Sequence, residues 1–282
     1  HNSSNDDQDD AHYMETNSDV SSVTEDTVAV QINEFPVQAV AMECCDGTLD
    51  SLAAQGLLNE REWESAIFQV AAALWTYQKA FDLTHNDLHA NNVMYSKTDR
   101  EYINYKWNDH HYRIPTFGRI YKIIDYGRAI YRYRGLLMCS DSFHPKGDAA
   151  SQYNCEPYVN HDKPIIEPNP SFDLCRLGCS LYDCIMDDLY GREHRAKPIQ
   201  KLILSWCQDD KGRNVMYKRS GVERYPEFKL YKMIVRTVHG HTPDNTLTDP
   251  CFSKYIVSRK SIPKKAPIMK LDQIPCLTNS SP

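Results

Sequence analysis

Long hydrophobic runs are absent from this 282-residue chain. Its longest apolar stretch, residues 67–75, contains Gln69 and is only about half of the ~18 residues that span a membrane. The ten cysteines have no regular spacing, which is typical of free, buried thiols in a reducing compartment rather than of a disulfide framework. We therefore expect a cytoplasmic protein that makes no membrane contact.

Basic side chains are also missing from the first 26 residues, which contain eight acidic ones and little apolar content. Such a segment cannot bury enough surface to fold alone, so residues 1–26 are predicted to be an acidic flexible segment. Over the whole chain, 41% apolar and 25% charged residues predict a globular protein with one large domain or two small ones. The formal net charge of −6 argues against an obligate nucleic-acid partner.

The strongest chemical pattern is THNDLHANNVMY at residues 84–95. Transfer of a γ-phosphoryl group needs an aligned acceptor hydroxyl and Mg²⁺ to neutralise the polyphosphate. Asp87 can align the hydroxyl, and Asn92 offers an amide oxygen that suits Mg²⁺. A second carboxylate, Asp125, ends an apolar stretch, and Gly127 lets the chain turn sharply there. Asn92 and Asp125 are therefore predicted to be metal ligands, and Asp87 is predicted to be catalytic.

These patterns, together with SFDLCRLGCSLYD at residues 171–183, resemble protein kinases. HNDLHANN resembles the catalytic loop, DYG resembles the DFG signature, and the third stretch resembles the start of the central helix. The residues of these motifs, and the long insert between them, are most similar to those of the divergent serine/threonine kinase-like proteins of giant DNA viruses. The resemblance implies an α+β protein-kinase-like fold, mainly the helical large lobe with a partial β small lobe. It also implies ATP and Mg²⁺ as cofactors, a protein substrate, and the host cytoplasm or a virion as location.

The resemblance also implies roles for further residues. Asp173 would tether the catalytic loop from below, and His85, Tyr126 and Gly127 would support the site. His89, the second predicted catalytic residue, stands where serine/threonine kinases usually have lysine. It could still donate a hydrogen bond to the γ-phosphate, and its charge near pH 7 would depend on its surroundings. Met42, Glu43 and Cys45 would lie at the hinge, whose main-chain groups read the adenine edge. Met94 would be a further residue of the nucleotide site.

Periodicity and turn signals give the remaining boundaries. The predicted parts are a partial small lobe with its hinge (27–45, strands at 27–32 and 37–42), a kinase-like large lobe (46–260) and an extended C-terminal tail with four prolines (261–282). Within the large lobe, helices are predicted after Thr48, at 60–81 behind the cap Asn59, and at 199–207 and 229–239.

An aromatic-rich insert at about 98–118 interrupts the kinase pattern. Its alternating stretches, 101–107 and 110–114, flank Asn108-Asp109 and predict a β-hairpin. Exposed aromatic patches mark interaction sites, so the hairpin is a candidate docking surface. The alternative is that its rings pack against the protein itself.

Residues 128–171 would form the activation segment, which contains no clean Ala-Pro-Glu. Asn86 stands where many regulated kinases have an arginine, and an amide cannot form that arginine's bidentate ion pair with a phosphate. We therefore expect activity without phosphorylation of Ser140 or Ser142.

A glycine-rich loop and an early lysine, which kinases use to hold the ATP phosphates, are missing from the sequence. The first lysine is Lys79, and only Gly47 and Gly56 precede the catalytic loop. Either a further segment supplies these parts or the protein is a kinase-like remnant, and we expect the first. The predicted function is transfer of the ATP γ-phosphate to a protein serine or threonine. One alternative is a non-catalytic kinase-like scaffold or virion component, which fold alone cannot separate from a kinase. The other is a small-molecule phosphotransferase, because a histidine at the position of His89 also resembles that group of enzymes.

Overall fold

The computed structural model describes residues 36, 39–190 and 193–279. The chain divides into two compact units, His1–Met42 and Glu43–Pro282. The predicted acidic segment at 1–26 and the strand predicted at 27–32 lie outside the described residues.

The strand predicted at 37–42 is wrong over residues 39–42, which have no regular secondary structure. Val40 and Met42 are 73% and 76% exposed. An alternating apolar pattern specifies a strand only where one of its faces is buried, and neither of these side chains is.

The second unit combines helices with small sheets, so the predicted α+β class is confirmed. The helices are α1 (Leu49–Ala54), α2 (Glu60–Phe81), α3 (Phe172–Leu189), α4 (Pro198–Trp206), α5 (Lys229–Thr237) and α6 (Pro243–Leu247). No helix in the described ranges has the length and apolar content to cross a membrane.

The strands form three sheets with the orders β1-β2-β5, β8-β4-β3-β9 and β6-β7. Their bounds are β1 (Gly47–Thr48), β2 (Val93–Lys97), β3 (Tyr102–Trp107), β4 (His110–Pro115), β5 (Arg119–Ile123), β6 (Ile130–Tyr133), β7 (Leu136–Cys139), β8 (Ile256–Val257) and β9 (Ile268–Lys270). All named pairs are antiparallel except β3 with β9. The first sheet carries the chain into and out of the candidate site.

Helix α2 has the predicted bounds because its local signals agree. The Asn59 side chain accepts hydrogen bonds from the amides of Arg61 and Glu62, and the Glu62 carboxylate accepts one from the Asn59 amide, which makes a capping box. Ile67 and Leu74 are at most 1% exposed. Every residue from 64 to 72 is buried, so this part of the helix is covered on all sides. The helix ends at Phe81, just before the catalytic-loop pattern.

The insert forms the predicted hairpin from β3 and β4. Its two turn residues, Asn108 and Asp109, have φ values of 48° and 61°, the left-handed pair that a tight two-residue hairpin turn requires. The rings of Tyr105, Trp107 and Tyr112 are at most 5% exposed. Because these rings lie in the core, they favour self-packing over docking.

Helix α3 is buried over most of its length, as its apolar composition predicts. Leu174, Leu177 and Leu181 are at most 1% exposed. Cys175 and Cys179, one turn apart, are packed among apolar side chains. Both thiols are therefore part of the core.

The C-terminal region is not the solvated extended tail predicted for 261–282. Over the residues described there, β9 pairs in parallel with β3, and Ile262 and Leu271 are each 2% exposed. The Leu277 amide donates to the Ala80 carbonyl at the end of α2. The prolines favour extended backbone, but the interspersed apolar side chains bury against the insert sheet and α2.

Candidate functional site

Asp173, in the first turn of α3, holds the catalytic-loop pattern from the interior. Its Oδ2 accepts a hydrogen bond from the His85 amide and its Oδ1 accepts one from the Asn86 amide, both at 2.9 Å. All three residues are at most 1% exposed. Burial raises the pKa of Asp173, while His85 and the two amides act in the opposite direction. The sequence-predicted tether is therefore in contact with the loop.

The His85 ring links this loop to the strand that precedes Asp125. Its Nε2 lies 2.9 Å from the Ile124 carbonyl oxygen, and its Nδ1 accepts from the Asp87 amide at 3.3 Å. These partners require the proton on Nε2, because a carbonyl can only accept and an amide can only donate. The ring also contacts Tyr126, with 5.0 Å between centroids. His85 therefore fixes the main chain at both predicted carboxylates.

Asp87 is half-buried and is the side chain on which positive groups converge. Its Oδ2 lies 4.0 Å from Nε of Arg128. Its Oδ1 lies 3.5 Å from the Tyr231 hydroxyl, which in turn accepts a hydrogen bond from Nε of Arg176 at 2.9 Å. The Asp87 carboxylate therefore has Arg128 on one side and the Arg176–Tyr231 pair on the other.

Asn92 and Asp125 are placed by the main chain around them. Nδ2 of Asn92 donates to the Asp87 carbonyl at 2.9 Å, so its Oδ1 is left to coordinate. The Ile124 amide donates to the Asn92 carbonyl at 3.0 Å, which joins the loop to the strand end. Asp125 has a φ of 64° and an exposed side chain, and its Oδ1 accepts from the Gly127 amide at 3.3 Å. Asn92 and Asp125, the two predicted oxygen ligands, therefore lie on chain segments that a main-chain hydrogen bond joins.

This donor set fits Mg²⁺ carried by a nucleotide rather than a metal held by protein alone. Across the described residues, no group of three or more His, Cys, Asp or Glu side chains could hold a metal. Mg²⁺ usually takes one or two carboxylates and completes its shell with phosphates and water. One carboxylate, Asp125, and one amide oxygen, Asn92, are compatible with that mode.

His89 lies between these charges and is shifted towards its neutral form. Burial lowers its pKa, and the positive charge of Arg176 lowers it further, against the opposing effect of Asp87 and Asp125. An imidazole with a pKa below 6.5 is mostly uncharged at pH 7. His89 can therefore donate a hydrogen bond but supplies little positive charge in the free protein.

The predicted nucleotide residues are brought together in part. Met94 on β2 is opposite Lys122 on β5. The Lys122 ammonium pairs with the Glu43 carboxylate and lowers its pKa. Ser96 lies 3.8 Å from Sγ of Cys45. Glu43, Cys45 and Met94 thus lie along one sheet.

Met42 belongs to the other compact unit, where its side chain is exposed. Its predicted role in binding adenine stays a prediction. Lys122, by contrast, was not predicted, although its place two residues before Ile124 in the strand leading to DYG was the available signal.

Asn86 is a connector rather than a substitute for arginine. Its φ is 66°, and its Nδ2 donates to the carbonyls of Thr84 at 3.2 Å and Arg128 at 3.0 Å. The Tyr153 hydroxyl donates to its Oδ1. Arg128 itself pairs with the Asp148 carboxylate. The loop and the 128–171 segment are therefore joined without a phosphate.

No protein-family model matches the sequence, and the search of curated proteins gives no match either. The function must therefore be inferred from the geometry of the site.

Proposed function

We propose that this chain carries the phosphoryl-transfer site of a protein serine/threonine kinase with a protein-kinase-like fold. The observation that carries the proposal is one continuous network. Asp173 holds the loop amides, and Asn92 donates to the Asp87 carbonyl while its own carbonyl receives the Ile124 amide beside Asp125. A general base and two oxygen ligands in fixed relation are the parts that this chemistry needs.

In the proposed reaction, Asp87 accepts the hydrogen bond of the incoming serine or threonine hydroxyl and aligns its oxygen with the γ-phosphorus. The P–O bond to the nucleotide leaving group breaks as the new P–O bond forms, and the hydroxyl proton passes to Asp87. Asn92 and Asp125 would hold Mg²⁺, which neutralises the charge of the phosphates. His89 would donate a hydrogen bond to the γ-phosphate.

Protein substrates are favoured over small molecules because the tether and the turn both follow the protein-kinase pattern. Asp173 contacts the loop amides, and Tyr126-Gly127 follows Asp125 at the turn. All ten cysteines are free thiols, which supports the proposed cytoplasmic location.

Two conservative substitutions test the assignment in protein expressed from its complete reading frame. Asp87→Asn should reduce phosphate transfer by about a thousandfold or more while leaving Mg²⁺-ATP binding nearly unchanged, because it removes only the base. Asp125→Asn should weaken both, because it removes a metal ligand. Phosphate transfer from labelled ATP and nucleotide affinity by calorimetry are the two measurements.

The matched control is Asp99→Asn, which makes the same chemical change at an exposed turn residue outside the site. It should retain both properties. Equal turnover in the wild type and Asp87→Asn would contradict the proposal.

A further inference from the structure

A cavity of about 510 Å³ lies between the 128–171 segment and helix α5. Aromatic side chains form much of its wall, namely Phe143, Tyr153 and Tyr158. The volume is within the usual range for a site that takes a side chain or small ligand. The cavity is therefore large enough to receive part of a bound peptide.

The charge of this cavity has one sign. Lys163, Lys232 and Arg236 line it, and none of the described residues that line it is acidic. Neither lysine forms an ion pair with a described residue. The chain as a whole is acidic, so a cationic recess with unpaired ammonium groups is not explained by composition.

Arg236 is the fixed member of this set. Its guanidinium donates to the main-chain carbonyls of Ser151 at 3.0 Å and Gln152 at 3.2 Å. These bonds neutralise no charge, since the carbonyls are neutral. Arg236 therefore adds a held positive charge at the edge of the cavity. The Lys232 ammonium lies 5.5 Å from the centre of the Phe228 ring and has no carboxylate partner among the described residues.

The cavity is directly connected to the candidate catalytic loop. The ring of Tyr153 lines it, and the Tyr153 hydroxyl donates to the side chain of Asn86, the neighbour of Asp87. On the other wall, Lys232 follows Tyr231, whose hydroxyl lies 3.5 Å from Asp87. Two contacts thus link the walls of the cavity to the residues around Asp87, one through Asn86 and one through Tyr231, the neighbour of Lys232.

We propose that this cavity binds the carboxylate side chain of an aspartate or glutamate in the protein substrate. The proposal rests on the proposed function, because the acidic residue is selected as part of a peptide whose serine or threonine lies at Asp87. Complementary charge supplies specificity at such a contact, and the partly apolar walls strengthen it by lowering the local dielectric. The kinase would thus prefer hydroxyl residues with acidic neighbours.

Peptide binding tests this without requiring turnover. The full-length Asp87→Asn protein is titrated with two fluorescent peptides, one with serine among glutamates and one with glutamine at every glutamate position. The glutamate peptide should bind about tenfold tighter. Lys163→Gln and Lys232→Gln should each reduce that preference by about threefold or more, and added salt should reduce it as well.

The matched control is Lys229→Gln, the same change on helix α5 at an exposed residue that does not line the cavity. Equal affinity for both peptides, or an equal loss of preference in the control, would overturn the proposal. Glutamate-selective binding without turnover in the wild type would support the cavity and remove the kinase activity. Turnover in the wild type with equal kcat/KM for both peptides would remove only the cavity's role.

Discussion

Asp173 is the most buried carboxylate of the candidate site, and its hydrogen bonds leave it the least freedom to change. Asp173 is fully buried and uses both oxygens on consecutive main-chain amides, so any side chain without two acceptors leaves a buried N–H unpaired. Each such unpaired group costs about 1–3 kcal/mol. Asp87 is half-buried and Asp125 is exposed, so a ligand can reach both carboxylates. The chain thus separates a buried structural carboxylate from two accessible ones, for which we propose the catalytic and metal-binding roles.

His89 provides the prediction at the residue scale. Its pKa in the free protein should lie below 6.5 because burial and Arg176 disfavour the imidazolium. Phosphate charge favours the protonated form, so saturating Mg²⁺-ATP should raise that pKa. Proton NMR titration of the imidazole, with and without nucleotide, measures both values. The imidazole resonance of His89 is assigned by its loss in His89→Gln.

The lowered pKa of His89 also makes the stability of the protein depend on pH. A His pKa that is lowered on folding contributes stability that is present above the unfolded pKa and decreases as pH falls below it. Wild type should therefore lose stability relative to His89→Gln below pH 6.5. A free-protein pKa at or above 6.5 would contradict the prediction.

Residues that belong to a recognisable short motif were the predictable part of the site. Asp87 and Asn92 are found from a spacing of five residues, and Asp125 from its place before a glycine. Tyr231 could not be found in this way, because it lies in none of these motifs and is 144 residues from the Asp87 that it contacts. Its position depends on the packing of α5 against α3, for which no local pattern exists.

Among helices and strands, too, those with local sequence signals were predictable and those formed by long-range pairing were not. Helix α2 and the β3–β4 hairpin were predicted because caps, periodicity and turn residues act within a few positions. The parallel pairing of β9 with β3 joins Asn104 to Ile268, and no turn signal announces such a contact. The β6–β7 hairpin was missed because the region was interpreted as an irregular activation segment.

That segment provides the prediction at the element scale. Residues 128–171 already have a buried core, including Ile130, Phe143 and Tyr153, and Arg128 pairs with Asp148. A phosphate is therefore not needed to order the segment. Phosphatase-treated full-length protein should keep its phosphate-transfer activity to within about twofold.

Ser142→Ala provides the genetic control for this experiment. Ser140 is less suitable, because its Oγ accepts the Ser142 amide and its removal would disturb the local turn. A loss of about tenfold or more after phosphatase treatment would contradict the prediction and show that a phosphate stabilises the active segment.

At the scale of the whole molecule, the second unit contains the carboxylates but the sequence has no glycine-rich loop before them. Lys122, which lies opposite Met94 on the neighbouring strand, is already paired with Glu43. Under the kinase proposal, Asn92 and Asp125 would hold the metal, whereas the described residues include no counterpart of the glycine-rich loop for the phosphates. That same deficit is what favours the scaffold as a second candidate function.

Nucleotide binding measured by thermal shift separates the two candidates. Ligand at a hundred times Kd stabilises the native state by about 2.7 kcal/mol, and each kcal/mol raises Tm by about 2–4 °C at this size. If a further segment supplies the phosphate-binding parts, Mg²⁺-ATP should raise the Tm of protein from the complete reading frame clearly more than that of this 282-residue chain. Mg²⁺-ADP, and Asp125→Asn in the longer protein, should give smaller shifts, because each removes a γ-phosphate or metal contact. Equal shifts in the two proteins would mean that this chain binds nucleotide through its own residues, with Lys122 as the first to test. If neither protein shifts at millimolar Mg²⁺-ATP, the kinase proposal fails and a non-catalytic binding function takes its place.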